Sequence, residues 1–293
     1  MKNKFYLLFL LILTHLGIVL GGITYKYETC IITMFQNEAD YLKEWIDYHR
    51  KIGFDHFILF NNYSTDDYKE VLQPYVDDKI IDLYDWTEPD FPKCQIRANQ
   101  WGLNFLKNKA KWVALIDVDE FIVPKNTKNI KRFLKEYEPY AGIIINWQLF
   151  GTSDIATLPP KEPILKHLIY KFPTNFDDPE WNSNFFVKSI VQPNMVDERM
   201  IWGNFGNHVF KADRYHFMVD ANKKPVLEPT AKHTAILVDK IQINHYWFRT
   251  IEWFYKNKIC RRVAVGDVYT PQKIEYLFTA GKSEVDLAIF KLL

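Results

Sequence analysis

The sequence predicts an α/β protein built on a doubly wound, mostly parallel β-sheet. In the first half of the chain, short apolar runs rich in β-branched residues alternate with stretches of helical periodicity. Clusters of turn-forming polar residues follow several of the apolar runs, and such a sheet binds its ligands beyond the carboxyl ends of its strands. We expect one large domain over residues 25–293, preceded by a separate segment at residues 1–24.

Composition excludes several classes of protein. Of the 293 residues, 48% are hydrophobic and 16% aromatic, which is enough for a large core. The 37 basic and 36 acidic residues are mixed along the chain and leave a net charge of +1, so no basic surface for nucleic acid is expected. The cysteines Cys30, Cys94 and Cys260 form no zinc-binding pattern, and we interpret them as buried thiols.

The N-terminal segment predicts attachment to a membrane. Phe5–Ile23 is almost wholly apolar, follows Lys2 and Lys4, and is just long enough to span a bilayer. It indicates a signal anchor of a single-pass type II protein, whose remaining chain faces a secretory-pathway lumen such as the Golgi in a eukaryotic host. A cleaved signal peptide is the alternative, because small residues end the run, although an A-x-A site is missing.

The first half contains four predicted strands, each apolar and β-branched or aromatic. They are Thr29–Phe35, His56–Phe60, Ile80–Tyr84 and Trp112–Ile116. Between the first two, apolar residues from Leu42 to Ile52 recur at helical spacing, Asn37 can cap the helix and Gly53 ends it. Further helices are predicted at Tyr68–Tyr75 and Gln95–Leu106.

After Pro124 the alternation becomes irregular. A helix at Ile130–Tyr137 and a strand at Gly142–Trp147 precede a proline-rich stretch that begins at Pro159, and long loops of this kind are often substrate-binding segments. Later strands are predicted at Phe185–Val191 and Lys240–Tyr246. An amphipathic helix at Thr250–Val263 is expected to close the fold.

Three carboxylates follow the fourth predicted strand, in the sequence Asp117-Val-Asp119-Glu120. Buried carboxylates need a partner, and hard cations such as Mg²⁺ and Mn²⁺ prefer oxygen ligands. In an extended segment Asp117 and Asp119 would point the same way and share one ion, which could then bridge a diphosphate. The alternative interpretation is a solvated or helix-capping loop.

Several motifs, in a fixed order, carry a resemblance to a known family. They are Met34-Phe-Gln-Asn-Glu38, Glu44-Trp-Ile-x-Tyr-His49, Asn61-Asn-x-Ser-x-Asp66, Trp112 to Pro124, Trp147-x-x-Phe-Gly151, Lys188-Ser-Ile-Val191 and Ile243-Asn-His-Tyr246. Over about residues 29–265 the chain resembles glycosyltransferase family 92 and its bacterial and viral relatives. This resemblance implies the GT-A fold that these enzymes share with family 2.

The resemblance implies a site for Mn²⁺ or Mg²⁺. Asp117 and Asp119 match the metal-binding pair, and His245 matches the late histidine that commonly completes the site in GT-A enzymes. A lone histidine in an apolar strand is also commonly a hydrogen-bonded core residue, so both interpretations of His245 remain open.

The resemblance also implies residues that bind the nucleotide-sugar donor. They are Asn37, Glu38, Asn61, Ser64, Asp66, Arg97 and Asp117. The alternatives are a helix cap and a turn for the two loops, and an exposed helical arginine for Arg97. Gln36 stands where a basic residue is expected and Asn61 where an acidic one is, which leaves the nucleotide open.

Family 2-like enzymes invert the anomeric carbon, and this requires a carboxylate to deprotonate the acceptor hydroxyl. The candidates lie in the irregular half of the chain: Asp154, Asp177, Asp178 and Glu180. Trp147, Trp181 and Trp202 are candidates for stacking on sugar rings, with packing in the core as the alternative.

The expected activity is therefore metal-dependent transfer of a hexose, with UDP-galactose the commonest family donor, to a glycan hydroxyl on protein or lipid. A non-catalytic sugar-binding protein that kept the GT-A fold is the alternative, although the complete DVDE sequence opposes it. A nucleotidyltransferase is disfavoured because its glycine-rich, basic phosphate loop is missing after the first strand.

Overall fold

The computed structural model describes residues 24–178, 183–201, 208–227, 230–259 and 269–293. The segment Phe5–Ile23 lies outside these ranges, as do Glu180, Trp181, Trp202 and Cys260. Among the described residues, every helix is too short or too polar to cross a bilayer. The membrane segment therefore stays a prediction.

The first half of the chain confirms the predicted alternation of strands and helices. Its elements are β1 (Tyr27–Phe35), α1 (Ala39–Lys51), β2 (His56–Asn61), α2 (Tyr68–Asp77), β3 (Ile81–Asp85), α3 (Lys93–Leu106) and β4 (Ala110–Leu115). Strands β3, β2, β1 and β4 are adjacent in that order and parallel. Because helices cover both faces of such a sheet, its central strands are buried and almost uniformly apolar.

The second half is built mainly from short strands. Its elements are β5 (Glu120–Pro124), α4 (Ile130–Leu134), β6 (Gly142–Leu149), β7 (Tyr170–Lys171), β8 (Val187–Val191), β9 (Val196–Ile201), β10 (Phe210–Ala212), β11 (Met218–Val219), β12 (Pro225–Val226), β13 (Ile241–His245), α5 (Ile251–Trp253), α6 (Pro271–Ala280) and β14 (Glu284–Val285). The strands predicted at Gly142, Phe185 and Lys240 are thus present as β6, β8 and β13.

Most of these strands join one ten-stranded sheet, which confirms the α/β class with a mostly parallel centre. Strand β8 lies antiparallel between β4 and β6, while β13 pairs with β5 and with the end of β6. In the ladder between β5 and β13, His245 lies opposite Glu120. This pairing brings residues far apart in the sequence to the end of β4.

The helix predicted over Thr250–Val263 is present over Ile251–Ile259, but the prediction that it closes the fold is wrong. Helix α5 is capped by the Thr250 hydroxyl, which accepts the Trp253 amide hydrogen bond at 3.3 Å, and it continues as π-helical turns over Phe254–Ile259. Residues 260–263 lie outside the described ranges. Helix α6 follows, and its buried Ile274 and Leu277 pack in a separate apolar cluster, so the fold extends beyond the expected end.

The predicted capping of the first helix by Asn37 is also wrong. Glu38 occupies the capping position without a side-chain hydrogen bond, and the Asp66 carboxylate accepts the Ala39 amide hydrogen bond at 2.8 Å instead. Asn37 has a φ of +56°, a left-handed conformation that asparagine tolerates, and its side chain accepts a hydrogen bond from the Thr65 amide at 2.7 Å. The cap therefore comes from a distant loop.

Gly142 allows β6 to approach β8 closely. A Cβ atom at this position would lie 2.5 Å from the Ile190 carbonyl oxygen and 2.9 Å from the Val191 Cα, both backbone atoms of β8. A Cβ at Gly102, on α3, would instead meet the end of the Ile32 side chain at 2.9 Å. The first contact can be relieved only by moving the sheet, while the second needs only a side-chain rotation.

We expect Gly142→Ala to lower the free energy of unfolding by about 2 kcal/mol, because overpacking must displace a backbone. Gly102→Ala is the matched control, since the gain in helix propensity of about 1 kcal/mol offsets the movement of Ile32. Urea denaturation of both variants measures the difference. Equal losses of unfolding free energy in the two variants would contradict a clash with the β8 backbone at Gly142.

Candidate functional site

The candidate site begins at the turn between β4 and β5, which carries Asp117, Asp119 and Glu120. The Glu120 amide donates to the Asp117 carbonyl at 3.0 Å, and the Asp117 amide donates to the Glu120 carboxylate at 2.8 Å. The expectation of an extended segment here is wrong, because the chain reverses in a tight turn. Strand alternation therefore does not fix the relative directions of the two aspartates.

The carboxylate of Asp117 is bound by two neighbouring side chains. Gln95 donates to one oxygen at 2.9 Å, and the Lys188 amine donates to the other at 2.7 Å. Gln95 comes from the start of α3, and Lys188 from β8. Whether Asp117 also contacts a metal or a donor stays a prediction.

Lys188 and Glu120 lie side by side beneath the turn, and both are buried. Lys188 is 1% exposed and Glu120 is 0% exposed, with 3.5 Å between the lysine nitrogen and a glutamate oxygen. Burial raises the pKa of Glu120 well above its ordinary value, although Lys188 opposes the rise. Burial alone would lower the pKa of Lys188, but Asp117 and Glu120 outweigh it and raise that pKa. The sequence signal for this buried pairing was that Lys188 stands within a mostly apolar strand.

Asp119, just before β5, and His245, at the end of β13, are both predicted metal ligands and lie beside each other. Their nearest oxygen and nitrogen are 3.5 Å apart, and the second Asp119 oxygen lies 3.4 Å from the Lys258 amine. Burial disfavours the Asp119 carboxylate, but Lys258 and His245 outweigh burial and hold its pKa well below the ordinary range. The structure thus brings two of the three predicted ligands together and adds a lysine.

His245 is enclosed by aromatic and polar groups. Its ring lies 4.2 Å from that of Trp147, which is therefore buried against a site residue. Burial lowers the pKa of His245, with Asp119 opposing the shift. Its Nδ1 atom has no hydrogen-bond partner among the described residues. A buried nitrogen without a partner is available to form a hydrogen bond with a ligand that enters the site.

The donor atoms of Asp119 and His245 suit part of a site for Mn²⁺ or Mg²⁺. A carboxylate suits both ions, and a neutral imidazole suits Mn²⁺ better than the harder Mg²⁺. Across the described residues, no group of three His, Cys, Asp or Glu side chains is arranged to hold a metal. Mg²⁺ commonly binds through one or two protein ligands together with substrate phosphates and water, so a two-ligand site fits a nucleotide-bound ion.

Arg249 lies just beyond His245 and was not identified from the sequence. Its guanidinium is 2.6 Å from the Glu38 carboxylate and is 1% exposed. The rings of Tyr41 and Trp253 lie 3.7 Å and 4.2 Å from it. Burial raises the pKa of Glu38, and Arg249 partly offsets this rise. The sequence signal was a set of three basic residues, Arg249, Lys256 and Lys258, in an aromatic-rich segment after His245.

The loops after β1 and β2 are joined by hydrogen bonds. The Asn37 amide donates to the Ser64 hydroxyl at 2.9 Å, and the Ser64 amide donates to the Asn61 side chain at 3.0 Å. Asn61 also donates to Tyr68 and Asp85, both at 2.8 Å. These predicted donor-binding residues therefore have local structural partners, as the turn interpretation expected.

Asp66 keeps one carboxylate oxygen available. One oxygen caps α1, whereas the other is buried and has no hydrogen-bond partner among the described residues. A buried acceptor without a donor is uncommon in folded proteins. Of the predicted residues in this loop, Asp66 is thus the one with a free acceptor for a base N–H or a ribose hydroxyl.

The remaining predicted residues that the structure describes each form an ion pair. Arg97 is ion-paired with Glu88. Among the candidate bases that the structure describes, Asp154 pairs with Lys282, Asp177 with Lys232, and Asp178 with Lys273. Asp178 is buried, while the Asp154 side chain is 63% exposed. These contacts do not test the predicted roles of Arg97 and the candidate bases, which stay predictions.

Comparison with known proteins gives a family match. Residues 25–264 match the model of a family described as glycosyltransferase family 92. A family 92 protein of Ricinus communis is 30% identical over 248 residues, covering 81% of this chain and 38% of that protein. One from Oryza sativa subsp. japonica is 27% identical over 247 residues, covering 81% and 36%. The chain thus spans less than two fifths of these relatives' length.

Solved structures give a weaker likeness. A crystal structure of residues 1–349 of S. aureus TarS has a TM-score of 0.40 and 13% identity, covering 90% of this chain and 72% of that one. The same TarS fragment in complex with UDP has a TM-score of 0.36 and 12% identity, covering 66% and 60%.

The buried pairing of Lys188 gives a stability prediction. Lys188→Met leaves Asp117 and Glu120 without their cation, so we expect the free energy of unfolding to fall by about 3 kcal/mol. Lys111→Met is the matched control, because Lys111 pairs with Glu138 at the surface, where such pairs contribute about 0–1 kcal/mol. Urea denaturation compares them. A loss at Lys188 no greater than at Lys111 would show that the buried pair is not required for stability.

Proposed function

This chain belongs to glycosyltransferase family 92, and we propose that it transfers a sugar from a nucleotide-sugar donor to a glycan hydroxyl. The observation that supports this most directly is the pairing of Asp119 with His245 at the end of the parallel strands, with the buried Arg249 and the partly buried Lys258 beside them. Fold class alone would not decide the activity, because many functions share it. The proposal therefore rests on the side chains around Asp119 and His245.

We assign the fold to the GT-A type, with the donor at the carboxyl ends of β1, β2 and β4. The available oxygen of Asp66 suits a base N–H or a ribose hydroxyl. Asn37, Glu38, Asn61 and Ser64 shape the loops around it. UDP-hexoses, with UDP-galactose foremost, are the proposed donors, and the acceptor is a glycan on protein or lipid.

Asp119 and His245 are the residues that would hold Mn²⁺ or Mg²⁺, with Asp117 beside them. Such an ion, when bound with the donor, supplies Lewis-acid stabilisation of the leaving diphosphate. The chain's own contribution is to hold Asp119 ionised in a buried place, through Lys258 and His245. A low dielectric strengthens every charge interaction there.

We propose inversion at the anomeric carbon, with one carboxylate taking the proton of the acceptor hydroxyl. Of the four candidates, we propose Asp154, Asp178 and Glu180. Asp178 is the most buried of those that the structure describes. Attachment to a membrane through residues 5–23, in type II orientation, completes the proposal.

The first test is a donor screen. We expect the purified chain, given UDP- and GDP-sugars with Mn²⁺, to turn over one donor, and EDTA to abolish turnover. Asp119→Asn should lower kcat/KM at least about 100-fold, because it removes the proposed metal ligand. Asp77→Asn is the matched control, since Asp77 is an exposed aspartate at the end of α2.

Retained activity in Asp119→Asn would disprove the role of that carboxylate. If no donor is turned over and none binds, the enzyme proposal fails, and a non-catalytic sugar-binding protein becomes the better interpretation. Tight donor binding without turnover would instead show that the acceptor was missing from the assay.

A second test identifies the base. One of Asp154→Asn, Asp178→Asn and Glu180→Gln should lower kcat about 100- to 10,000-fold, the usual contribution of a general base. Donor affinity, measured by calorimetry, should stay unchanged in that variant because the base contacts the acceptor. Full activity in all three variants would exclude them as the base, and a retained anomeric configuration in the product would exclude inversion.

A further inference from the structure

We propose that Arg249 and Lys258 bind the diphosphate group of the donor, and that Glu38 and Asp119 neutralise these two cations until the donor arrives. The inference rests on the proposed transfer reaction, which supplies the diphosphate. It assigns a ligand to two residues that neither the sequence motifs nor the family match singled out.

The first argument is charge balance. Arg249 is paired with Glu38 at 2.6 Å, and Lys258 lies 3.4 Å from Asp119. Two cations and two carboxylates therefore neutralise one another in a mostly buried cluster. A diphosphate carries the same kind of negative charge as the two carboxylates and can replace them as the partner of both cations.

The second argument is the incomplete hydrogen bonding of Arg249. A guanidinium has five N–H donors in a fixed fork, and leaving buried donors unused is costly. Its Nε and Nη1 atoms are buried and have no acceptor among the described residues. Glu38 thus satisfies only part of the fork, whereas phosphate oxygens match its geometry and would supply further acceptors.

The third argument is that both cations are fixed in place by aromatic rings. Tyr41 and Trp253 enclose the Arg249 guanidinium, and the Lys258 amine lies 4.9 Å from the Trp247 ring and 5.4 Å from the Trp253 ring. Rings in this position exclude water and hold a cation ready for an anion.

Backbone conformation supports a ligand-binding role. Arg249 has a φ of +49°, a left-handed conformation that is uncommon for a residue with a long side chain. Lys258 lies in the π-helical turns Phe254–Ile259, and π-helical turns frequently occur at functional sites. A left-handed conformation at a residue other than glycine is costly, and such residues cluster at sites where a function requires a particular side-chain direction.

The position of Lys258 links the cations to the proposed metal ligands. It contacts one oxygen of Asp119, and the other oxygen faces His245. When a diphosphate replaces Asp119 as the partner of Lys258, the Asp119 oxygen that contacted Lys258 becomes available to a divalent cation. Diphosphate and metal should therefore bind together, each more tightly in the presence of the other.

The test compares nucleoside diphosphates with nucleosides. Calorimetry measures the affinities of UDP, uridine, GDP and guanosine for the whole chain, with Mn²⁺ and with EDTA. We expect Lys258→Met to weaken binding of the preferred diphosphate about tenfold and to leave binding of its nucleoside unchanged, as expected for one lost charge-assisted hydrogen bond. If Lys258 had a purely structural role, its substitution would weaken the binding of the diphosphate and of the nucleoside equally.

Lys256→Met is the matched control. Lys256 is exposed and lies in the same π-helical turns, so its substitution removes an equal charge from the same segment. We expect it to change diphosphate affinity less than twofold. Arg249→Met should weaken diphosphate binding roughly 10- to 100-fold. Should that variant fail to fold, Lys258→Met alone still decides the proposal.

Two outcomes would overturn the inference. One is an unchanged ratio of diphosphate to nucleoside affinity in Lys258→Met, and the other is an equal loss in Lys256→Met. If either occurs while the wild-type chain still transfers sugar, the inference fails and the proposed function stands. If the wild-type chain binds neither UDP nor GDP, both fail.

Discussion

The constraint on which this structure depends is the burial of several carboxylates in one short turn. Asp119 and Glu120 are buried where the chain passes from β4 to β5, and the Asp117 side chain beside them is 32% exposed. Ionised carboxylates in such a place are strongly destabilising unless cations neutralise them. The chain must therefore deliver positive side chains to the end of β4, and Lys188 and Lys258 meet this need from two different segments.

This requirement explains features of the second half that have no repeating pattern. Strand β8 enters the sheet antiparallel between β4 and β6, which places Lys188 under the turn. Strand β13 pairs with β5 and delivers His245 beside Asp119, and the segment after it carries Arg249 and Lys258. The irregular strand order of the second half thus places the basic side chains beside the carboxylates of the turn. Arg249 keeps buried donors that have no acceptor among the described residues, which is why we consider that residue prepared for a ligand.

Predictions from the sequence succeeded where the signal was local. The strands and helices up to β4 follow from apolar periodicity and turn-forming residues, and their bounds moved only slightly in the structure. Asp119 and His245 were placed in one site by resemblance, and the β5–β13 ladder brings them together. The cap of α1 was assigned to Asn37 and is supplied by Asp66, because a carboxylate from a distant loop can satisfy the same amide.

The sequence by itself determined the α/β class, the order of the early elements and the presence of carboxylates at a strand exit. These depend on neighbours along the chain, where side-chain periodicity and backbone preference act directly. The partners of those carboxylates were decided only by tertiary structure. Lys188, Arg249 and Lys258 reach the site through strand pairings between distant segments, and periodicity carries no information about which buried charge will lie beside which.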